Sequence, residues 1–276
     1  MPRFRLVLEY DGSDFQGWQA QAPGVRTVQD TLEAAAAGLA GAPVAVLGAG
    51  RTDAGVHAEG QVASLAFPTR LGAAELSRAL NALLPEDLAV LACDVVGDSF
   101  DPRRDARSKL YRYDVWNGPE RSPLRRRRWH RVPGSLDTAA MVRAVRHFEG
   151  THDFAALRSM GSHVASTERT LLRCELVARD GELRLFVEGT GFLRHMVRTL
   201  AGTLLEVGAG GRAPDSIPDL LARGDRGRAG PTAPARGLTL VAVRYDAIPA
   251  RARPDPGFGR ESGRLGGEGE LTPRSA

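Results

Sequence analysis

The predicted order of strands and helices occurs twice along this chain of 276 residues, and this repeat constrains the fold more than any other feature. The first copy opens with apolar residues at every second position over 4–10, a spacing typical of a half-buried strand. The second copy opens in the same way over 110–116, and each opening strand ends at a glycine-containing turn. The predicted strands are 4–10, 44–47, 61–67, 88–95, 110–116, 171–178, 183–188 and 238–245, and the predicted helices are 28–39, 73–83, 136–148, 192–207 and 214–222.

Each copy has the order βαββαβ, which implies antiparallel-rich sheets with helices packed on one face. We therefore predict an α+β fold class with two related halves, each with its own sheet, at residues 1–104 and 105–248. Residues 249–276 are rich in Gly and show no apolar periodicity. They are predicted to be a disordered and dispensable tail.

Several classes of protein are disfavoured by simple features of the chain. No apolar run reaches the ~18 residues needed to span a bilayer. The first twenty residues include Glu9, Asp11 and Asp14 and do not resemble a signal peptide. Two cysteines, Cys93 and Cys174, cannot make a disulfide framework, and neither lies in a histidine-rich cluster. These features favour a cytoplasmic protein without a membrane partner.

Basic residues are concentrated in one segment. Lys109 is the only lysine among 37 basic residues, which codon bias toward arginine explains. Residues 103–131 contain eleven basic and three acidic side chains, a net charge of +8 in a chain whose total is +4. Charge concentrated in this way favours a polyanionic partner, and a solvated basic loop is the alternative.

The densest polar cluster lies between two predicted strands, over residues 48–58, where Arg51, Thr52 and Asp53 stand between glycines. Glycine permits unusual backbone angles and the close approach of a ligand. An Asp near Gly is most often a turn-forming residue, so the composition of the cluster does not by itself indicate a function. The order of the residues around it is more specific.

Eight short blocks resemble the bacterial tRNA pseudouridine synthase A family and occur in that family's order, from about residue 3 to residue 246. One block is weak evidence, but eight in sequence order are specific. They are Tyr10-Asp11-Gly12 with Gly17-Trp18-Gln19-Ala20-Gln21, Thr27-Val28-Gln29, Gly50-Arg51-Thr52-Asp53-Ala54-Gly55-Val56-His57-Ala58, Asn81-Ala82-Leu83-Leu84-Pro85, Phe100 with Arg103, Tyr111-Arg112-Tyr113, His152-Asp153-Phe154 and His195-Met196-Val197-Arg198.

The resemblance implies roles for four residues. In the family the Asp of Gly-Arg-Thr-Asp is catalytic, which corresponds to Asp53 here. Arg198 is implied to lie against this carboxylate as its ion partner, and Arg51 is implied to help open the RNA and hold the flipped nucleotide. The ring of Tyr111 is implied to stack on the target uracil, whereas Tyr113 is predicted to be a core residue.

The implied reaction suits a carboxylate. Conversion of uridine to pseudouridine breaks the N1–C1′ bond, joins C5 of the uracil to C1′ and is redox-neutral, so we expect neither a metal nor an organic cofactor. A carboxylate can act as a nucleophile and then as a base. Attack on C1′, addition to C6 and removal of H2′ are all compatible with Asp53 at this point.

The predicted RNA contacts are two side chains near the first turn and a set of arginines. Trp18 and Gln19 are expected to line the RNA path, with core packing as the alternative for Trp18. His57 is expected to be structural, and His152 with Asp153 is too small a set to bind a metal. The predicted phosphate contacts are Arg103, Arg125, Arg126, Arg127 and Arg128.

The resemblance implies a homodimer that isomerises uridines 38, 39 and 40 in the anticodon stem-loop of tRNAs. A non-catalytic RNA-binding protein of the same fold and a pseudouridine synthase for another RNA are the alternatives. The presence of Asp53, Tyr111 and Arg198 argues against the first alternative. Thr190, where the family commonly has Asn, is expected to cap the helix predicted at 192–207.

Overall fold

The structure, a computed structural model, describes residues 1–159, 161 and 164–245. The tail predicted at 249–276 lies outside these residues. The strands are β1 (Arg3–Tyr10), β2 (Val46–Gly48), β3 (His57–Ala66), β4 (Leu88–Val96), β5 (Ser108–Trp116), β6 (His130–Arg131), β7 (Gly150–Asp153), β8 (Glu168–Arg179), β9 (Glu182–Gly189) and β10 (Leu238–Arg244). The helices are α1 (Val28–Ala40), α2 (Ala73–Leu83), α3 (Thr138–Val145), α4 (Met196–Gly208) and α5 (Ile217–Arg223).

Within the described residues, ten strands form one sheet whose main path runs β4-β1-β3-β10-β5-β9-β8-β7. Strand β2 pairs with β3, and β6 pairs with β5. The sheet contains the repeat seen in the sequence, because β1 lies between β4 and β3 just as β5 lies between β10 and β9. The α+β class is therefore confirmed.

The two copies share this sheet, whereas the sequence analysis expected a sheet for each half. Strand β10 joins them: it pairs antiparallel with β5 and parallel with β3, where Thr239 lies opposite His57. An unpaired strand edge exposes backbone hydrogen-bonding groups. Insertion of the last strand between β3 and β5 satisfies both edges and brings the second copy against the loop that precedes β3.

The helices pack on the apolar face of the sheet. The four alternate residues of β1 from Phe4 to Tyr10 are at most 2% exposed, whereas Arg5 points to the other face and pairs with Asp94 of β4 at 2.7 Å. In the second copy, Tyr113 of β5 lines a small apolar space together with Ala201 of α4. The period-2 pattern thus separates a packed face from a charged one.

Local signals in the sequence explain several element ends. The side chain of Thr27 accepts a hydrogen bond from the Asp30 amide at the start of α1, and Gly41 ends this helix in the left-handed region at φ +68. Asp180 and Gly181 also have positive φ, as the tight turn between β8 and β9 requires.

Three helix starts differ from the prediction. Helix α5 begins at Ile217 rather than 214, after a single 3-10 turn over Pro214–Ser216. Helix α3 begins at Thr138 rather than 136, because the Asp137 side chain accepts from the Ala140 amide and caps it. Helix α4 begins at Met196 rather than 192, after His195 in the left-handed region. Thr190 therefore does not cap α4, which corrects the expectation stated above.

Candidate active site

The polar cluster forms a loop between β2 and β3, which we call the Asp53 loop (residues 49–56). Main-chain hydrogen bonds attach it to the segment that follows β1: the Trp18 amide donates to the Thr52 carbonyl at 3.0 Å, and the Gly55 amide donates to the Phe15 carbonyl at 3.3 Å. Gly17, at φ +90, lies so close that a Cβ there would meet the Thr52 carbonyl oxygen at 2.8 Å. The backbone on both sides of Asp53 is therefore firmly held.

Buried polar side chains hold the Asp53 loop on the side that faces the core. The Tyr10 hydroxyl and Thr52 Oγ1 lie 2.8 Å apart, and Gln61 Nε2 donates to the Gly50 carbonyl at 2.9 Å. Burial raises the pKa of Tyr10 to about 12, so its hydroxyl keeps its proton at neutral pH. Thr52 and Gln61 are themselves buried, and these contacts leave the Asp53 side chain pointing away from the core at 30% exposure.

The Asp53 carboxylate meets the start of α4. Its Oδ2 lies 3.1 Å from Arg198 Nη1 and 3.4 Å from His195 Nε2. The Arg198 side chain is 15% exposed, and its Nε donates to the Ala233 carbonyl at 2.8 Å, which orients the guanidinium. Residues 145 positions apart in sequence thus form a partly buried ion pair at the junction of the two copies.

Tyr111 lies on β5 beside this ion pair. The residue is 8% exposed, and its ring packs edge-on against Phe192 with centroids 5.0 Å apart. Burial raises the pKa of Tyr111 well above its usual range, and the negative charge of Asp53 adds to this shift. Tyr113 points to the same face and is fully buried, as predicted.

The remaining predicted contact residues have different surroundings. Arg51 is exposed and makes no hydrogen bond or ion pair with any described residue. Trp18 is 2% exposed and lies under Gly48, where a Cβ would meet the indole at 2.5 Å, so its burial favours the packing alternative. Gln19 is half-buried and donates to Gln29 Oε1 at 2.9 Å. Arg103 is exposed.

The four consecutive arginines lie on the arginine loop (residues 117–129), between β5 and β6. Arg125 pairs with Glu182 and lies over the Trp116 ring, and Arg127 pairs with Asp14. Arg128 Nε lies 3.5 Å from Asp11 Oδ2. Arg126 is exposed, donates to the Pro123 carbonyl and has no acidic partner in the part of the chain that the structure describes.

His57 connects the two loops. Its Nδ1 accepts from the Gly12 amide at 3.1 Å, and its Nε2 lies 3.2 Å from the Arg127 carbonyl and 3.1 Å from the Arg236 carbonyl. Burial lowers the pKa of His57, so the neutral ring donates from Nε2 to these carbonyls. An open cleft of about 350 Å³ lies between the loops, lined by Ser13, Asp14, Gly55, Arg126, Arg127 and Arg236.

Sequence reasoning missed three polar side chains at the site. His195 lay within a quoted block but received no role, and Ser159, whose Oγ lies 2.6 Å from His195 Nδ1, was not singled out. Lys109 lies two positions before Tyr111, and its side chain packs over Gly50 at the start of the Asp53 loop. Burial lowers the pKa of Lys109, and Arg103 acts in the same direction.

The described residues contain no group of three or more His, Cys, Asp or Glu side chains that could hold a metal ion. His152 Nε2 instead contacts the Glu149 carbonyl at 2.7 Å, and the Asp153 side chain accepts from the Ala155 amide. Among the helices of the described residues, none is long and apolar enough to cross a membrane.

Comparison with known proteins places this geometry in a family. A family model described as tRNA pseudouridine synthase matches residues 6–103 and 144–246. The chain is 47% identical over 247 residues to tRNA pseudouridine synthase A of Geotalea uraniireducens, covering 89% of this chain and 100% of that protein. It is also 47% identical over 253 residues to the protein of the same name from Myxococcus xanthus, covering 91% and 95%.

A solved structure entitled "Crystal Structure of a Cbf5-Nop10-Gar1 Complex" matches with a TM-score of 0.29 and 15% identity, over 74% of this chain and 54% of that one, which is too distant to support an argument. The conclusion comes from the family model and the relatives, which cover nearly the whole described chain. The matched residues include the segments that carry Asp53 and Arg198, whereas β5 with Tyr111 lies in the unmatched segment 104–143. The chain belongs to the tRNA pseudouridine synthase family.

Proposed function

We propose that this protein isomerises uridine to pseudouridine at positions 38, 39 and 40 of the anticodon stem-loop of tRNAs. Family membership supports the reaction class and tRNA as the substrate. The single observation that carries the proposal is the partly buried Asp53–Arg198 ion pair beside the Tyr111 ring, on a loop held from both sides.

Asp53 is the nucleophile and base in this proposal. Arg198 stabilises its negative charge in a site from which bound RNA would exclude water, which keeps the carboxylate reactive. The N1–C1′ bond breaks, the uracil turns, C5 joins C1′, and the C5 proton is removed while N1 gains one from solvent. Attack on C1′, addition to C6 and removal of H2′ all begin at the same carboxylate.

Tyr111 and Arg51 handle the flipped nucleotide. An aromatic face beside the carboxylate suits a uracil that has left its stack, and Phe192 fixes the orientation of the Tyr111 ring. Arg51 is two residues from Asp53, and its exposed guanidinium is free to contact the RNA where the base leaves the stem. Neither role requires a cofactor.

Phosphate contacts surround this site. Arg126, beside the open cleft, and Arg103 are exposed cations that suit phosphate groups. Arg125, Arg127 and Arg128 also belong to this proposed surface, although they are engaged in ion pairs in the absence of RNA.

We further propose that Gln19 lines the RNA path and that the protein acts as a homodimer in the cytoplasm.

The deciding experiment is incubation with unmodified tRNA followed by carbodiimide mapping of pseudouridine. Modification at positions 38, 39 and 40 is the expected result. Binding of tRNA without any pseudouridine would instead support a non-catalytic RNA-binding protein. Pseudouridine formed in another RNA but not in tRNA would support a synthase of different substrate.

A further inference from the structure

His195 makes a second contact to the Asp53 carboxylate, and it reaches the same oxygen as Arg198. Its Nε2 lies 3.4 Å from Oδ2, while Arg198 Nη1 lies 3.1 Å from that oxygen. The other oxygen, Oδ1, accepts no hydrogen bond from any described residue and is not among the buried unsatisfied atoms. Oδ2 of Asp53 therefore has two side-chain contacts, whereas Oδ1 has no hydrogen bond among the described residues.

Ser159 contacts the other ring nitrogen of His195 and can donate a hydrogen bond to it. Ser159 Oγ lies 2.6 Å from His195 Nδ1, and the backbone amide of Ser159 is anchored to the Arg194 carbonyl at 3.2 Å. If the proton were on Nδ1, the lone pair of Nε2 would face the negatively charged Oδ2. A hydroxyl that donates to Nδ1 avoids this repulsion and leaves the proton on Nε2, the ring nitrogen nearer to Asp53.

Burial and the surrounding arginines favour the neutral form of the His195 ring. Burial lowers the pKa of His195, and the positive charges of Arg198, Arg194 and Arg226 act in the same direction, while Asp53 opposes them. A neutral ring with a proton on Nε2 places that proton near Oδ2, at a nitrogen–oxygen distance of 3.4 Å, without adding a second positive charge beside Arg198. It therefore orients the carboxylate more than it neutralises it.

The backbone at His195 is also unusual. The residue precedes α4 at φ +63, in the left-handed region that L side chains rarely adopt. Among the described residues, the only other non-glycine at positive φ is Asp180, in the tight turn between β8 and β9. His195 occupies the third position of a turn that the Met196 amide closes by donating to the Leu193 carbonyl at 3.1 Å, a position that favours Gly or Asn. A histidine there, in contact with the Asp53 carboxylate, points to a role at the site.

We propose that His195 is a positioning residue for Asp53. With Arg198 it holds Oδ2, so that Oδ1 is the oxygen presented to the flipped uridine, and Ser159 holds the ring in the tautomer that this requires. The proposal rests on the proposed function for the identity of the substrate. It assigns His195 no contact with RNA, so its effect is exerted through the carboxylate alone.

Two replacements test the roles of the two ring nitrogens of His195 separately. In His195→Asn the amide takes the place of Nδ1, which keeps the Ser159 contact and loses the Asp53 contact. In His195→Gln the amide nitrogen reaches the position of Nε2 and still donates to Asp53. His147→Gln is the matched control, because this histidine is paired with Asp215 away from the site.

The measurements are the single-turnover rate on saturating tRNA, the tRNA dissociation constant and the melting temperature. We expect His195→Asn to lower the rate by about 100-fold, as expected when a reacting group is misplaced, with an unchanged dissociation constant. His195→Gln should recover most of the rate, and His147→Gln should match the parent. Equal rates for the Asn variant and the parent, or a Gln variant no faster than the Asn variant at similar melting temperatures, would overturn the proposal.

A second measurement does not depend on turnover. Histidine ¹⁵N–¹H correlation spectra of the full chain report which ring nitrogen carries the proton. We expect the Nε2–H tautomer for His195 at pH 7, with that preference reduced in Ser159→Ala. A His195 ring protonated on Nδ1 would overturn the proposal even if the protein made pseudouridine. If the unmodified protein made no pseudouridine, the proposed function would be rejected. The tautomer result would still decide whether His195 positions Asp53.

Discussion

The Asp53 loop and the arginine loop are both rich in charge and lie on opposite sides of one cleft. The sequence alone does not show equally well which charges of the two loops are available to a ligand. In the Asp53 loop, the carboxylate at the centre of a specific motif is 30% exposed and paired with Arg198. In the arginine loop, three of the four consecutive arginines are ion-paired, and Arg126 is the exception within the described structure. A count of positive charges therefore overstates the number available to a phosphate.

This difference suggests a division of labour. Replacements of Asp53 and of the side chains that contact it should change turnover and leave affinity unchanged, because the carboxylate acts on sugar or base. Replacements in the arginine loop should change affinity and its salt dependence, because they act on phosphates. His57 directly follows the Asp53 loop, and its Nε2 contacts the Arg127 carbonyl of the arginine loop, so it links the two regions.

The largest effect is expected for Asp53→Asn, which keeps the size of the side chain and removes its charge. Turnover should be abolished, because an amide is neither the nucleophile nor the base that the reaction needs. The tRNA dissociation constant should change little. Single-turnover assays and filter binding measure the two quantities, and pseudouridine formed at a tenth of the parent rate would refute the assignment.

The second-largest effect is expected for Tyr111→Leu, with Tyr111→Phe as its matched control. Leu lacks the aromatic face and forfeits about 1–3 kcal/mol of base stacking, a factor of roughly 5 to 150 in the occupancy of the stacked uracil. Phe keeps the face and the edge-on packing against Phe192, so it should retain more turnover. A Leu variant that melts normally and reacts at the parent rate would remove Tyr111 from the site.

A comparison of Arg126→Ser with Arg127→Ser tests the arginine loop more finely. Loss of one phosphate contact should reduce the slope of log affinity against log salt by about one unit, and this is expected for Arg126. Arg127 must first leave Asp14, so its replacement should change the slope less. Its effect on stability should be about 1 kcal/mol or less, since the pair is exposed. Equal slope changes in the two variants would show that the pairing is irrelevant to RNA binding.

Chelation should have the smallest effect. Turnover on pre-folded tRNA is expected to be the same with and without EDTA, because the proposed chemistry uses only side chains of this chain. Pre-folding separates the enzyme from the magnesium dependence of the tRNA itself. Restoration of a lost activity by a divalent ion, with the tRNA shown to be folded throughout, would require a metal site that this mechanism does not contain.

The sequence by itself determined what depends on neighbouring residues. Period-2 and helical patterns predicted the repeat and most element bounds, because side-chain direction follows backbone periodicity. The Thr27 cap and the Asp180-Gly181 turn are equally local, since a cap and a tight turn are set within a few residues. The motif around Asp53 was equally local.

The tertiary structure decided what depends on distant segments. Insertion of β10 between β3 and β5 made one sheet from two expected ones and placed Arg198 against Asp53. Helix α4 begins at Met196, after His195 in a left-handed conformation, and not at 192 as the apolar pattern predicted. Pairing of Arg127 with Asp14 joins residues 113 positions apart. Ion pairing depends on distances in space, and no composition or spacing along the chain specifies which opposite charge will be within reach.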